Sequence, residues 1–190
     1  MSRAARARRF LLYGMNIRPA HARDLEFCLA LDESFETEYV WQMETARVDG
    51  GVQLAFRTTR LPRAMRVAGL GARDTILDHF EAGECFVVAE EGSRLVGFAD
   101  ATADLDQRLG WLHYLIVSND ARRRGAGAQL LRETLAWARE KKLRAVVTAL
   151  STKNYPASNF LQKRGFTFCG FNDRYYHNRD IAIYFACNLR

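Results

Sequence analysis

No apolar run in this 190-residue chain approaches the ~18 residues of a membrane-spanning helix. A membrane role through such a helix is therefore not expected. The same lack of a signal-like apolar segment argues against export. The four cysteines, Cys28, Cys85, Cys169 and Cys187, are scattered without the spacing of metal ligands. No metal is expected, and free thiols in a reducing cytoplasm are the better reading. Internal repeats, low-complexity tracts and an interdomain linker are all missing, so a single domain is expected. The first 14 residues contain no acid at all. Four of the six net positive charges sit there, on Arg3, Arg6, Arg8 and Arg9. Without them the charge is close to balanced, which disfavours a nucleic-acid-binding face. Residues 1–14 read as a disordered basic tail with no chemical role. An organelle address, an anionic-surface contact and an upstream translation start remain alternatives for it. The chain as a whole is 48% hydrophobic, and the domain expected over 15–190 can bury a proper core.

Against these absences stands one informative stretch, Val117-Ser118-Asn119-Asp120-Ala121-Arg122-Arg123-Arg124-Gly125-Ala126-Gly127. An apolar run ends at Val117, a polar turn with three arginines and two glycines follows, and a long amphipathic segment begins. A strand, a glycine-containing loop and a helix in that order leave backbone N–H groups unpaired at the helix start. The positive end of the helix dipole lies behind them. Such a junction reads as a phosphate or pyrophosphate seat. It is not a triphosphate loop, because no lysine follows Gly125 or Gly127. It is not a dinucleotide fingerprint either, which needs three glycines after the first strand of the fold.

A second segment extends from Asn154 to Phe166, Asn-Tyr-Pro-Ala-Ser-Asn-Phe-Leu-Gln-Lys-Arg-Gly-Phe. Asn154 can offer an amide at a strand's end. Pro156 suits the first turn of a helix, and Gly165 suits the position that stops one. The pattern Arg122-x-x-Gly125-x-Gly127 followed by this segment resembles the GCN5-related N-acetyltransferase (GNAT) family, in that family's order and spacing. Streptothricin-acetyltransferase-like members are similar in the later region, including Asp180 to Phe185. Arylalkylamine-acetyltransferase-like members are similar around Trp111-Leu112-His113.

The resemblance covers about residues 15–190 and implies a single-domain α/β (mixed α+β) acyl-CoA N-acyltransferase fold. That means a central mixed sheet of six to seven strands flanked by about four helices. The periodicity agrees. Strands are expected at 16–18, 52–56 (ended by Leu61-Pro62-Arg63), 84–90, 94–103, 110–117, 143–150, 166–173 and 181–188. Helices are expected at 21–35, 72–82, 126–142 and 156–164. Asp49-Gly50-Gly51 signals a turn, so 36–71 reads as a hairpin insertion or an ordinary edge hairpin.

The implied activity is acetyl transfer from acetyl-CoA, used as co-substrate, to a primary amine by direct attack in a ternary complex. The amine could belong to a small molecule, a protein lysine or an N-terminus. The resemblance assigns cofactor contacts to main-chain groups at Ile116 and Val117, to Arg122, Arg123, Arg124, Gly125, Ala126 and Gly127, and to Asn154. A bulge at Ile116 and Val117 would open a slot for the pantetheine arm. His113 is the candidate base, since an imidazole titrates near neutrality. Strand alternation places His113, Leu115 and Val117 on one face and Leu112, Tyr114 and Ile116 on the other.

The family commonly has a tyrosine where this chain has Leu161. A water, Tyr155, Tyr175 or Tyr176, or unaided departure of the thiolate would then replace that acid. The missing hydroxyl gives weight to an alternative: an acyl-CoA-binding sensor with weak or no transfer. Exposed closing strands make a homodimer a possible partner state.

Overall fold

The computed structural model describes residues 14–69 and 75–189. All of the basic tail except Gly14 lies outside them, as do residues 72–74 of the expected second helix. Seven strands form one mixed sheet in the order β1-β4-β5-β6-β7-β9-β8. They are β1 (Met15–Pro19), β4 (Cys85–Glu91), β5 (Arg94–Asp104), β6 (Leu109–Val117), β7 (Ala145–Ser151), β9 (Ala182–Asn188) and β8 (Thr167–Asn172). A long hairpin, β2 (Phe35–Val48) and β3 (Gly51–Val67), makes a separate two-stranded sheet. Four α-helices complete the described fold: α1 (Leu25–Ala30), α2 (Thr75–Glu81), α3 (Ala126–Glu140) and α4 (Tyr155–Gln162).

The central strands are apolar on both faces because both faces are covered. One face buries Ala89, Val96, Ala99 and Leu112 against Leu130, Leu131 and Ala138 of α3. The other buries Val88, Phe98 and Ile116 against Cys28 of α1 and Ile76 of α2. Within α3 the buried positions Leu130, Thr134 and Ala138 recur every four residues, the spacing of one helical face. Thr134 fits there because its hydroxyl donates to the Leu130 carbonyl, 3.0 Å away.

Three expectations need correction. The helix expected over 21–35 is a 3-10 turn (Ala22–Asp24) and the short α1, and Phe35 already belongs to β2. Asp32 explains the stop. Its carboxylate accepts from both the N–H and the hydroxyl of Ser34, each at 2.8 Å, and so holds the chain in a turn. Secondly, Leu61-Pro62-Arg63 does not end β3, which continues to Val67. The pairing passes from Tyr39–Arg60 to Thr37–Met65, so residues 61–64 stand opposite Glu38 alone. Pro62 sits exposed in that irregular stretch, where no ladder bond needs its missing N–H. Thirdly, of the two readings of 36–71 the ordinary edge hairpin is ruled out and the insertion holds, since β2 and β3 form a sheet of their own. It reaches across to α4 and β8: the Trp41 N–H donates to the Thr152 carbonyl, its indole N–H donates to Ser158 Oγ at 2.9 Å, and Phe56 packs on Phe168 and Phe171.

Candidate active site

β6 and β7 run parallel and pair only from Leu109–Ala145 to Trp111–Val147. Beyond Val147, β7 keeps its other partner, β9, down to Ser151 and Ala182. β6 likewise keeps β5 to Val117. The two central strands therefore part, and the edge of β6 beyond Trp111 faces a split in the sheet. The split ends at the start of α3.

There the chain turns twice through positive φ, at Arg123 (66°) and at Gly125 (100°), before α3 begins. The second value suits a residue without Cβ. The N–H groups of Arg123, Arg124, Gly125, Ala126 and Gly127 donate to no backbone carbonyl among the described residues. Arg122 differs from expectation here, since its own N–H is spent on the Ser118 carbonyl at 3.1 Å. Its guanidinium Nε donates to the Val117 carbonyl at 2.9 Å, pinning the loop to the end of β6. Arg124 pairs with Glu91 at 3.2 Å. Arg123 has no ion-pair partner among the described residues. Ala126 is buried. Gly127 lies under the Phe160 ring, which a Cβ would meet at 3.5 Å, and beside the Val117 side chain. Successive free N–H groups in such a concave turn form an anion cradle, with the dipole of a 15-residue helix behind it.

Asn154 caps α4, its Oδ1 accepting from the Ala157 N–H at 3.1 Å. That oxygen caps the helix, and the Nδ2 group donates to no partner among the described residues.

The bulge expected at Ile116 and Val117 lies elsewhere. Asp100 pairs with Tyr114 and Ala101 with Leu112, so His113 is the extra residue. The bulge resets the alternation. Leu112 packs on the α3 face with Leu115 and Val117, while Tyr114 and Ile116 pack on the α1–α2 face. The expected grouping of Leu112 with Tyr114 and Ile116, and of His113 with Leu115 and Val117, is therefore wrong. At the end of β6 the backbones crowd instead: a Cβ on Gly97 would lie 2.5 Å from the Ile116 carbonyl oxygen.

His113 stands two residues past the last β6–β7 pair, exposed to solvent. Its Nε2 is 2.8 Å from Thr102 Oγ1. Its ring lies 4.5 Å from the ring of His79 on α2. His79 Nδ1 in turn is 2.6 Å from Oδ2 of Asp100, a residue with no exposed surface. Crowding by protein, and then the facing His79, draw the His113 pKa below the ordinary imidazole value. Burial raises Asp100 to about 6, against the opposing pull of the His79 hydrogen bond. His79 and Asp100 were not picked out from the sequence. One signal existed: an acid in the apolar run Val96-Gly97-Phe98-Ala99-Asp100-Ala101 must find a partner when that strand is buried.

The sequence model of the acetyltransferase (GNAT) family matches residues 53–166. The chain belongs to the GNAT acetyltransferase family. It is an acetyl-CoA-dependent N-acetyltransferase, and the seven-stranded mixed sheet with four helices is the GNAT fold. No curated protein matches it significantly by sequence. Solved structures similar in fold include a nourseothricin acetyltransferase, with a TM-score of 0.79 and 21% identity over 93% of this chain and 99% of that one. A protein assigned as a streptothricin acetyltransferase from Bacillus anthracis, in complex with acetyl coenzyme A, has a TM-score of 0.76 and 18% identity over the same shares. Ard1 from Thermoplasma volcanium has a TM-score of 0.66 and 21% identity over 93% of this chain and 98% of that one. At these identities the likeness is one of fold.

Within this GNAT domain Leu161 is a core residue, 2% exposed among Phe166, Ile183 and Phe185. Its neighbour Phe160 is the α4 side chain that faces the α3 start. Of the tyrosines weighed as replacements, Tyr155 packs on Tyr39. Tyr175 and Tyr176 form a cluster with each other and Tyr184. Burial pushes the phenols of Tyr175 and Tyr176 up, which keeps them protonated. No cluster of three or more metal-ligating side chains occurs among the described residues.

Proposed function

We propose that this acetyltransferase moves its acetyl group to a small primary amine of the streptothricin class, with His113 as the base. The observation that carries the reading is His113 beside the mouth of the β6–β7 split, with the free N–H groups of the α3 start at the other end. Acetyl transfer needs an anchored donor, an amine that has lost its proton, and a stabilised oxyanion. The residues present suit the donor. The N–H groups from Arg123 to Gly127 would take its pyrophosphate, with Arg123 supplying uncommitted charge. Main-chain groups at Ile116 and Val117 would lie along the arm, and Asn154 Nδ2 and Arg124 complete the surroundings. A thioester supplies an activated acyl carbon and a thiolate whose basicity is close to that of cysteine.

His113 can take the amine's proton from the tautomer with hydrogen on Nε2. In that form Nε2–H donates to Thr102 Oγ1 and leaves the Nδ1 lone pair free. The acceptor assignment draws support from the fold likeness over 93% of the chain to the nourseothricin and streptothricin enzymes. The β2–β3 hairpin and the 173–181 loop would wall the amine's side of the site.

The test is thiol release from acetyl-CoA with three acceptors: streptothricin, a lysine-containing peptide and a peptide with a free N-terminus. Release with streptothricin that exceeds either peptide, and that falls about a hundredfold or more in His113→Ala, is the expected result. Release with either peptide that exceeds release with streptothricin would instead assign a protein acceptor; acetyl-CoA binding with no release across a broad amine panel would favour an acyl-CoA sensor.

A further inference from the structure

The α1–α2 face of the sheet carries a line of polar side chains in otherwise apolar surroundings. Asp100 has no exposed surface, and its Oδ1 finds no hydrogen-bond partner among the described residues. Its Oδ2 meets His79 Nδ1 at 2.6 Å. The His79 side chain is 16% exposed. Its ring lies at 4.5 Å from that of His113, tilted by 37°. Two imidazoles so placed share no hydrogen bond between nitrogens, so their coupling is through space. A buried carboxylate within hydrogen-bonding distance of one ring favours a proton on that ring. A proton there opposes a second one on the neighbouring ring.

We propose that Asp100 and His79 are positioning residues for His113: the buried carboxylate fixes the His79 ring through Nδ1, and that ring, stacked on His113, sets the orientation of the base and its hold on the proton it takes. The proton His113 takes from an amine is then disfavoured where it lands, and His113 releases it to solvent through its exposed edge.

The other groups around the pair do not substitute for it. Glu84 acts on Asp100 with like charge and raises it further. Cys85, on β4, stays a thiol because burial pushes it up to about 12. Tyr114 packs on the same face from β6. Asp78 and Glu81 share α2 with His79.

The proposal rests on His113 being the base, and its test separates the two claims. The full chain has four histidines, His21, His79, His113 and His177. Their imidazole resonances can be assigned by single substitution and titrated by NMR without any acceptor. In the unsubstituted protein His113 should titrate below the ordinary value of ~6.5. His79→Gln, which keeps a donor to Asp100 but no charge, should raise it by roughly one unit or more. His79→Phe, which keeps a ring on His113, should do the same and serves if the first variant folds poorly. The acidic limb of kcat/KM should move with it. A His113 that titrates at the ordinary value and does not move in either folded variant overturns the proposal. If the resonance moves but His113→Ala keeps full amine-dependent release, the coupling stands and His113 is not the base.

Discussion

At the scale of single residues, three arginines in a row carry three different duties. Sequence alone could not divide them, because their chemistry is identical and only the neighbours differ. Arg122 is tied to the Val117 carbonyl, Arg124 to Glu91, and Arg123 carries charge without a described partner. Arg123→Ala should therefore raise the KM for acetyl-CoA several-fold, more at low salt than at high, because exposed charge is screened. Its urea midpoint should stay where it was. Arg122→Ala should behave oppositely in stability, losing about 1–2 kcal/mol for a bond from a charged donor, since the loop's attachment to β6 goes with it. Steady-state kinetics at two ionic strengths, together with urea titrations, check both. His113 was legible as a candidate because its residue type and strand position were visible. Its partner His79 was not, since 34 positions separate them along the chain and only packing of α2 on the sheet brings the rings together.

Elements show where local rules were overruled. Alternation along β6 was sound up to Leu112 and failed after it, because a one-residue bulge cannot be read from the strand that holds it. It exists only in the register with β5. Gly97 on β5 shows the same dependence. Nothing in its neighbours marks it, yet a Cβ there would fall 2.5 Å from a carbonyl oxygen of β6. Gly97→Ala should force the strands apart next to the split, costing about 1–3 kcal/mol in overpacking. The KM for acetyl-CoA should rise too, while an alanine at Gly14, which has open space around it, should change neither value. On α4 the sequence signals held well: Asn154 caps, Pro156 sits in the first turn, and the Phe166 N–H closes on the Leu161 carbonyl at 3.2 Å beyond Gly165. Asn154→Ala should lower stability by about 1 kcal/mol through the lost cap. Asn154→Asp keeps the capping oxygen but loses Nδ2. A raised KM for acetyl-CoA with an unchanged unfolding midpoint in that variant would mark a ligand contact beyond the cap.

For the whole molecule, the N-terminal strand is held by charge as well as by its ladder with β4. Arg18 on β1 reaches Asp24 and Glu90, each at 2.6 Å, and joins β1, the turn before α1 and β4. The Arg18 hydrogen bonds hold both carboxyls below their ordinary values. A carboxyl with a depressed folded pKa stabilises the fold above its unfolded value of ~3.9–4.3, and that stability is lost as pH falls through the folded value. Asp24→Asn should thus cost about 2 kcal/mol at pH 7. The gap to the parent should begin to narrow below about pH 4 and close only as pH falls through the depressed folded value, as denaturant titrations across that range will show.

The sequence by itself determined the family and the order of strands and helices, and it marked the loop proposed for the donor's pyrophosphate. Those properties rest on local signals: apolar periodicity, a glycine loop before a helix, and a cap and stop around α4. Tertiary structure decided the rest. It set where β6 and β7 separate, which residue bulges, which arginine remains free, and that a buried Asp100 holds His79 against His113. Each depends on two segments distant in the chain meeting at one register or one face, and the pattern within either segment alone does not encode that meeting.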